Sequence, residues 1–319
     1  MPWSDPGPDE GGGLTARWRW LYRQIWRQTK QAQFLLIGLS LAIAVLAAAP
    51  LFFQQKIING LAYGTSRQQV LWLGAAYAAV SLLTIALKLW LQYRSAILGE
   101  TLVRRIRGRI LTVHDRKRRA DDPSRPADGT VVSMLTAEAE SVGLFVGEAI
   151  TTPLLEVGTL VSILGYITAS EPLLGVFIVA LALPQVAIVA TVQGPVNALV
   201  RKRLELLRTA ADRTVDGNEA SPEAAIQDVF DSVFATRRRI HILKLSSKAA
   251  LRSLTALGIV GTLVLGGWLV LRGEADVGIV VAALTGMTRL DRPWNNLIKF
   301  YRSLSTVTVR YALLEDAIR

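Results

Sequence analysis

Four long stretches of this sequence contain no charged residue, and they restrict the fold more than any other feature. The first, 34–53, is twenty residues long, 70–87 and 254–271 are each eighteen, and 172–200 is longer still. A helix of about 20 apolar residues crosses the hydrocarbon core of a bilayer. Because a membrane span must satisfy its own backbone hydrogen bonds, such stretches predict transmembrane helices.

Two weaker stretches complete the pattern. The segment 142–169 is apolar except for Glu148 and Glu156, and 277–288 runs for twelve residues before Arg289. The sequence therefore predicts an all-α membrane protein with six transmembrane helices and long cytoplasmic extensions. The predicted spans cover about 34–58, 70–93, 142–169, 172–193, 254–271 and 277–297.

The composition favours a membrane protein over a soluble basic protein. Hydrophobic residues make up 51% of the chain although its net charge is +11, and they are concentrated in the uncharged stretches. The absence of cysteine excludes disulfides and thiolate metal sites, and the two histidines, His114 and His241, are far apart in sequence. Because there is no Ser/His/Asp or metal-ligand pattern, we expect no catalytic residue, metal or bound cofactor in this chain.

The N-terminal region divides into two parts. Residues 1–13 are rich in proline, glycine and acidic residues, which predicts a disordered tail. In 14–33, Trp18, Tyr22 and Trp26 lie on one helical face and the arginines lie largely opposite. This pattern predicts an interfacial elbow helix, with an ordinary surface helix as the alternative. The first apolar stretch starts too late and is too long for a cleavable signal peptide.

The distribution of basic residues indicates the orientation in the membrane. Of the 36 Lys and Arg residues, 32 lie in 1–33, 94–141, 194–253 and 289–319. The opposite set of short connections contains only Arg67 and Arg272. Lys56 and Lys88 lie near span ends, where their side chains can reach the interface. The positive-inside rule therefore places the basic connections and both termini in the cytoplasm.

The densest basic run, RKRR at 116–119, is a candidate for nucleic-acid binding by charge alone. A nucleic-acid site would also need aromatic stacking partners or a recognition element, and the surrounding sequence has neither. We therefore interpret this run as a cytoplasmic segment close to the membrane and expect no nucleic-acid partner.

The two long inner connections, 94–141 and 194–253, have helical patterns. In the first, Ile97, Leu102 and Ile106 continue the second span as an amphipathic helix until the segment DRKRRADDPSRPADG interrupts it. In the second, DGNEASP is the interruption. The sequence therefore predicts three hairpins, with helices that extend well beyond the membrane and turn at two cytoplasmic tips.

This arrangement resembles the transmembrane domain of type-1, exporter-type ABC transporters. That family has six spans, an elbow helix and two cytoplasmic turns in the same order. The segment DGTVVSMLTAEAESVGLFV (128–146) resembles the one that follows its first coupling helix, and GEADVGIVVAALTGMTRLDRPWNNL (273–297) resembles its last outer loop and sixth span. VTVRYALLEDAIR resembles the end of the domain. The resemblance covers about 14–319 and lies in the order and spacing of these patterns.

The resemblance implies a membrane-spanning subunit that works as a homo- or heterodimer in a bacterial plasma (inner) membrane with separate nucleotide-binding ATPase subunits. It also implies two coupling tips that dock on those partners, near 116–126 and 212–223. The residues assigned to the tips are Arg116, Lys117, Arg118, Arg119, Asp121, Asp122, Pro123, Asp216, Gly217, Asn218 and Glu219.

The chain lacks the motifs that bind and hydrolyse ATP. Neither G-x-x-x-x-G-K-[ST] nor Leu-Ser-Gly-Gly occurs, and the dipeptide Gly-Lys is absent. A phosphate cradle of that type needs glycine backbone amides and a lysine on the β- and γ-phosphates. We therefore expect no enzyme activity from this chain alone, with ATP and Mg²⁺ bound by the partner subunits.

Charged residues at membrane depth are the candidate substrate pathway. Glu156 and Arg289 lie roughly 20 Å and roughly 18 Å below the outer surface at 1.5 Å per residue, and Asp291 and Arg292 follow closely. Three interpretations remain open: an ion pair between the third and sixth spans, a polar cavity that contacts substrate, or proton coupling through Glu156. Two arginines and two carboxylates leave the cluster close to neutral, so they predict no substrate charge.

The leading prediction is the transmembrane subunit of an ABC-type exporter. One alternative is a proton-driven transporter of the same fold that uses no nucleotide-binding domain, and it requires Glu156 as the titrating acid. Another is a membrane scaffold or sensor that transports nothing.

Overall fold

In the computed structural model, residues 14–120, 128–215 and 223–318 are described, and they are almost entirely helical, with no strand among them. The helices are α1 (Leu14–Leu46), α2 (Ala49–Ala62), α3 (Arg67–Arg119), α4 (Asp128–Ser133), α5 (Ala139–Glu148), α6 (Thr151–Ser170), α7 (Pro172–Val215), α8 (Glu223–Leu271) and α9 (Val277–Ile318), and a π-helical turn, Met134–Glu138, joins α4 to α5. The predicted all-α class is confirmed. The predicted tail, 1–13, lies outside the described residues.

Five segments are long and apolar enough to cross a membrane, as expected of a membrane protein. They are Thr29–Ala62, Arg67–Arg119, Gly129–Ser170, Pro172–Val200 and Gln227–Leu271. Each contains one of the first five predicted spans. Helix α9 differs because Arg289, Asp291 and Arg292 fall within its first five turns. The sixth span therefore stays a prediction.

Prolines divide the first and third predicted spans into two helices each. Helix α1 ends at Leu46, four residues before Pro50, which occupies the first turn of α2. Likewise α5 ends at Glu148, and Pro153 follows within the first turn of α6. Proline has no N–H to donate and its ring clashes with the carbonyl four residues earlier, which favours a break at these two positions. Helices α7 and α9 nevertheless continue through Pro184, Pro195 and Pro293. Hydropathy alone predicted unbroken helices in the first and third spans.

Helix α1 bends near its middle. Thr29 has a non-helical backbone (φ −130°, ψ 18°), and its side chain and that of Gln33 are buried. The bend separates most of the predicted elbow segment, 14–33, from the first apolar span. The interfacial position of that segment stays a prediction.

The chain forms two compact units. One consists of Met1–Tyr166 together with Arg289–Arg319, and the other of Ile167–Thr288. In the first unit, apolar side chains of α3, of α4 to α5 and of the C-terminal half of α9 form a buried cluster, here called the extension core. It contains Leu102, Ile106, Ile110, Val131, Met134, Ala139, Val142, Phe145, Val146, Ala149, Leu304, Val307, Tyr311 and Leu314.

Two arginines from neighbouring helices bind the π-helical turn. Arg107 on α3 donates from Nε to the Leu135 carbonyl at 2.7 Å, and Arg310 on α9 donates from Nη1 to the Ala137 carbonyl at 3.3 Å. A π-helical turn changes the regular backbone hydrogen-bond pattern of an α-helix. These side chains supply additional donors and tie the turn to both neighbouring helices.

Glycines allow α3 and α5 to lie unusually close together. A Cβ at Gly143 would stand 2.7 Å from the Val103 nitrogen, and a Cβ at Gly147 would overlap the backbone oxygen of Ser95. From the other helix, a Cβ at Gly99 would be 3.0 Å from the Cα of Leu144. The close approach brings the two backbones together where α3 and α5 enter the extension core.

We expect Gly147→Ala to destabilise the protein by about 1–3 kcal/mol, because the new methyl group must displace backbone rather than a flexible side chain. The matched control is Gly108→Ala on α3, where a Cβ has no neighbour within 4 Å. Removing that glycine should stabilise its helix by about 0.5–1 kcal/mol. Denaturant titration in mixed micelles measures both, and equal effects at the two positions would refute the close-contact account.

The second unit is built on the antiparallel helices α7 and α8, joined by the first turns of α9. Gly261 of α8 faces the Phe177 ring of α7, and Gly266 faces Val280 of α9. Gln185 of α7 donates to the Thr255 hydroxyl of α8 at 3.5 Å, a long hydrogen bond. Small residues on α8 thus permit close packing on both sides, as is common between membrane helices.

Candidate functional site

A hydrogen bond joins α6 and α9. Asn296 on α9 donates from Nδ2 to Oε1 of Glu156 on α6 at 2.7 Å, and both residues are half-buried. Among the side chains that the structure describes, no carboxylate lies within 4.0 Å of the charged nitrogens of Arg289 or Arg292. The link considered from sequence as an ion pair is therefore an amide–carboxylate hydrogen bond.

The polar residues of α9 are divided between two faces. Arg289, Arg292 and Asn296 follow one another at spacings of three and four, which places them on one face of the helix. Asp291 lies on another side, where its backbone carbonyl accepts a hydrogen bond from Asn295 at 2.7 Å. Both arginines therefore share the face of the Glu156–Asn296 bond, whereas Asp291 does not.

Lys88 of α3 is a member of this site that the sequence interpretation missed. It interacts electrostatically with Arg292, Glu156 and Arg289. The packing agrees, because the neighbouring residues Leu87 and Leu155 contact the same apolar cluster of α1 and α3 side chains. The side chain of Lys88 is exposed. The sequence analysis placed Lys88 only near the end of a predicted span and did not relate it to Glu156.

The signals for Lys88 and Asn296 were weak in the sequence. Asn296 is uncharged, so a search for buried charges passes over it, although it lies four residues after Arg292 on the same face. Lys88 lies in a different helix, and no local spacing relates it to Glu156. Only the packing of α3 against its neighbours brings the two together.

Part of the segment predicted as the first coupling tip lies within the described residues. Arg116, Lys117, Arg118 and Arg119 form the last turn of α3, where cations are favourable beside the helix C-terminus. Arg119 pairs with Asp115 at 2.7 Å, but both side chains are exposed, so the pair adds little stability. The other assigned residues, Asp121, Asp122, Pro123, Asp216, Gly217, Asn218 and Glu219, lie outside the described residues.

A separate cleft of about 670 Å³ lies beside the turn between α2 and α3. Lys56, Tyr63 and Trp72 line it together with apolar atoms. Gly64 in this turn has φ of 78°, and the Thr65 amide donates to the Gly60 carbonyl at 2.8 Å. Exposed aromatic residues beside a lysine are typical of the membrane–water interface, so we interpret the cleft as an interfacial feature.

The described side chains offer no group of three His, Cys, Asp or Glu residues that could hold a metal ion. Around Glu156, the described side chains supply fixed charges and hydrogen-bond donors. Such a site can bind and orient a polar ligand.

Comparison with known proteins adds no relative: the chain matches no family model and no curated protein.

Proposed function

We propose that this chain is the transmembrane subunit of an ABC-type exporter, which forms the substrate pathway and couples to ATP-hydrolysing partner subunits as part of a dimeric transporter. The observation that carries the proposal is the length of the helices. Helix α3 has 53 residues and α8 has 49, or about 80 Å and about 70 Å. Both far exceed the roughly 30 Å hydrocarbon core, so each extends well outside it.

The extension core supports a coupling role. It packs parts of α3, α5 and α9 into one buried cluster, and Phe145 stacks on Phe300 with ring centroids 5.6 Å apart. A force applied at a tip reaches the membrane only through elements that move as rigid bodies. Helices α3 and α9, which run unbroken through the shared core, meet that requirement. In this proposal, closure of the partner subunits on ATP and Mg²⁺ moves the tips and opens the pathway to the other side.

The proposal is tested by gentle detergent extraction from the native membrane, followed by purification through a tag on this chain. We expect an ATP-hydrolysing subunit to co-purify in fixed stoichiometry, with vanadate-sensitive activity. A pure preparation of this chain alone, with no ATPase activity at any detergent concentration that preserves the fold, would contradict the proposal.

Glu156 gives a second candidate function a specific basis, because a carboxylate at membrane depth is what a proton-driven transporter needs. Glu156→Gln separates the two. Glutamine can still accept the hydrogen bond from Asn296, so under ATP coupling we expect transport to fall only modestly. Under proton coupling it should be abolished, because the amide cannot release a proton.

Flux into inverted membrane vesicles, energised in parallel by ATP and by a proton gradient, measures this difference. Glu148→Gln is the matched control, since Glu148 is an exposed carboxylate on α5. Loss of ATP-driven flux in the Glu156 variant alone would give Glu156 an essential role that the ATP model does not require. No flux with either energy source would favour a scaffold or sensor.

A further inference from the structure

The face of α9 that meets Glu156 carries an excess of positive charge. Arg289 and Arg292 share this face with Asn296, and Lys88 of α3 is close enough to both arginines and to Glu156 to interact with them electrostatically. These three residues, Lys88, Arg289 and Arg292, are here called the cation cluster, and Asp291 lies on a different side of the helix. One oxygen of Glu156 already accepts the hydrogen bond from Asn296. The local balance is three cations to one anion, whereas the sequence alone indicated a nearly neutral group.

None of the three cations has a close ionic partner in the part of the chain that the structure describes. No carboxylate oxygen approaches the charged nitrogen atoms of Lys88, Arg289 or Arg292 within 4.0 Å. Lys88 and Arg292 are exposed and Arg289 is half-buried. Cations held at membrane depth are costly unless they face a water-filled cavity or meet an anion.

The position of the cluster is fixed by neighbouring structure. The Asn296–Glu156 bond holds α9 against α6 one helical turn beyond Arg292. On the other side, Leu87 and Leu155 share one apolar cluster, which holds Lys88 near Glu156. The cations therefore come from two helices, α3 and α9, and Glu156 from a third. A site built across helices changes shape when those helices move.

We propose that the cation cluster binds the anionic group of a transported substrate, a carboxylate, sulfate or phosphate carried on an organic molecule. Two arginines one turn apart can offer planar, paired donors to such an oxyanion, and the lysine adds a flexible third cation. The single carboxylate of Glu156 and the amide of Asn296 orient the site without neutralising it. This inference rests on the proposed function, in that these helices line the substrate pathway.

The test uses two xanthene dyes of similar size and opposite charge, 6-carboxyfluorescein and rhodamine 123. The full chain is placed in nanodiscs of phosphatidylcholine, and binding is followed by fluorescence anisotropy against empty nanodiscs. We expect saturable binding of the anionic dye only. The combined variant Lys88→Gln/Arg289→Gln/Arg292→Gln should weaken that binding at least tenfold.

Two variants act as controls. Lys56→Gln removes an exposed lysine of α2 that is not part of the cation cluster, and it should leave the affinity unchanged. Lys88→Arg keeps the charge and should retain binding. If the combined variant fails to fold, as judged by gel filtration, Lys88→Gln alone replaces it, because this side chain is exposed. Equal binding of both dyes, or unchanged affinity after removing the cations, would overturn the proposal.

Competition identifies the source of the anion. Displacement of the dye by millimolar inorganic phosphate but not by phosphatidylglycerol indicates a soluble anion, and the reverse indicates a lipid headgroup; both support the site. The binding assay contains no ATPase subunit. A failure of ATP coupling would therefore leave dye binding intact, and a failure of dye binding would leave co-purification of the ATPase intact.

Discussion

A chain lacking residues 116–126 will insert and fold, yet it will purify without the proposed ATP-hydrolysing partner and show only background ATPase activity. The proposed docking tip begins at Arg116, whereas the last α3 side chain of the extension core is Ile110. The deletion therefore removes the proposed docking tip and leaves the extension core intact. This is the largest functional effect that the proposal predicts, because the deletion separates the ATP-hydrolysing subunit from the transmembrane subunit.

A second variant tests whether the basic side chains of the tip contribute to partner binding. In this variant, glutamine replaces Arg116, Lys117, Arg118 and Arg119 together. We expect it to bind the partner more weakly, and the loss of affinity should be largest at low ionic strength. Exposed charges act mainly through long-range attraction, which salt screens. The matched control replaces Arg237, Arg238 and Arg239, an exposed basic run within α8, by glutamine. Retention of the partner and of full ATPase activity by the deletion variant would show that the tip does not dock.

Phe145→Ala should produce the largest loss of stability of any single truncation in the extension core. The ring is 4% exposed and stacks on Phe300, which joins α5 to α9. Removing a buried phenylalanine ring costs about 3–5 kcal/mol through lost burial and the cavity left behind. The free energy of unfolding, measured by denaturant titration in mixed micelles, reports this change.

The matched control is Phe234→Ala, the same substitution at a side chain that is 69% exposed on α8. Its effect should stay within about 0.5 kcal/mol, as is usual for exposed positions. Equal losses at the two positions would mean that the extension core does not stabilise the helices in solution. The account of α3, α5 and α9 as one rigid body would then fail.

The sequence predicted the helices well because their signal is local. An uncharged run such as 34–53 leaves a membrane helix as almost the only stable choice. The same reasoning overlooked the breaks before Pro50 and Pro153, because hydropathy counts side chains and ignores the missing backbone N–H. The patterns of the third and sixth spans were the weaker ones, since Glu148 and Glu156 interrupt the first and Arg289 ends the second after twelve apolar residues.

The candidate site was only partly predictable, because it depends on contacts between distant helices. Glu156 and Arg289 stood out as charges in apolar surroundings, and simple helix geometry gave them similar depths. The partner of Glu156 proved to be the neutral Asn296. Lys88 was assigned to a span end, and only the packing of Leu87 and Leu155 in one cluster brings it to Glu156.

The measurement that tests the central claim most directly is the distance between two spin labels on the helix extensions, with and without ATP. The labels are attached to two introduced cysteines, Leu111→Cys on α3 and Phe234→Cys on α8, at positions that are both exposed. Because the chain has no cysteine of its own, only these two positions react with the label. In the complex with the proposed ATPase partner, ATP and vanadate should change the mean distance by more than the spread of the labels themselves. An unchanged distance distribution in a complex that hydrolyses ATP would contradict coupling through these helices.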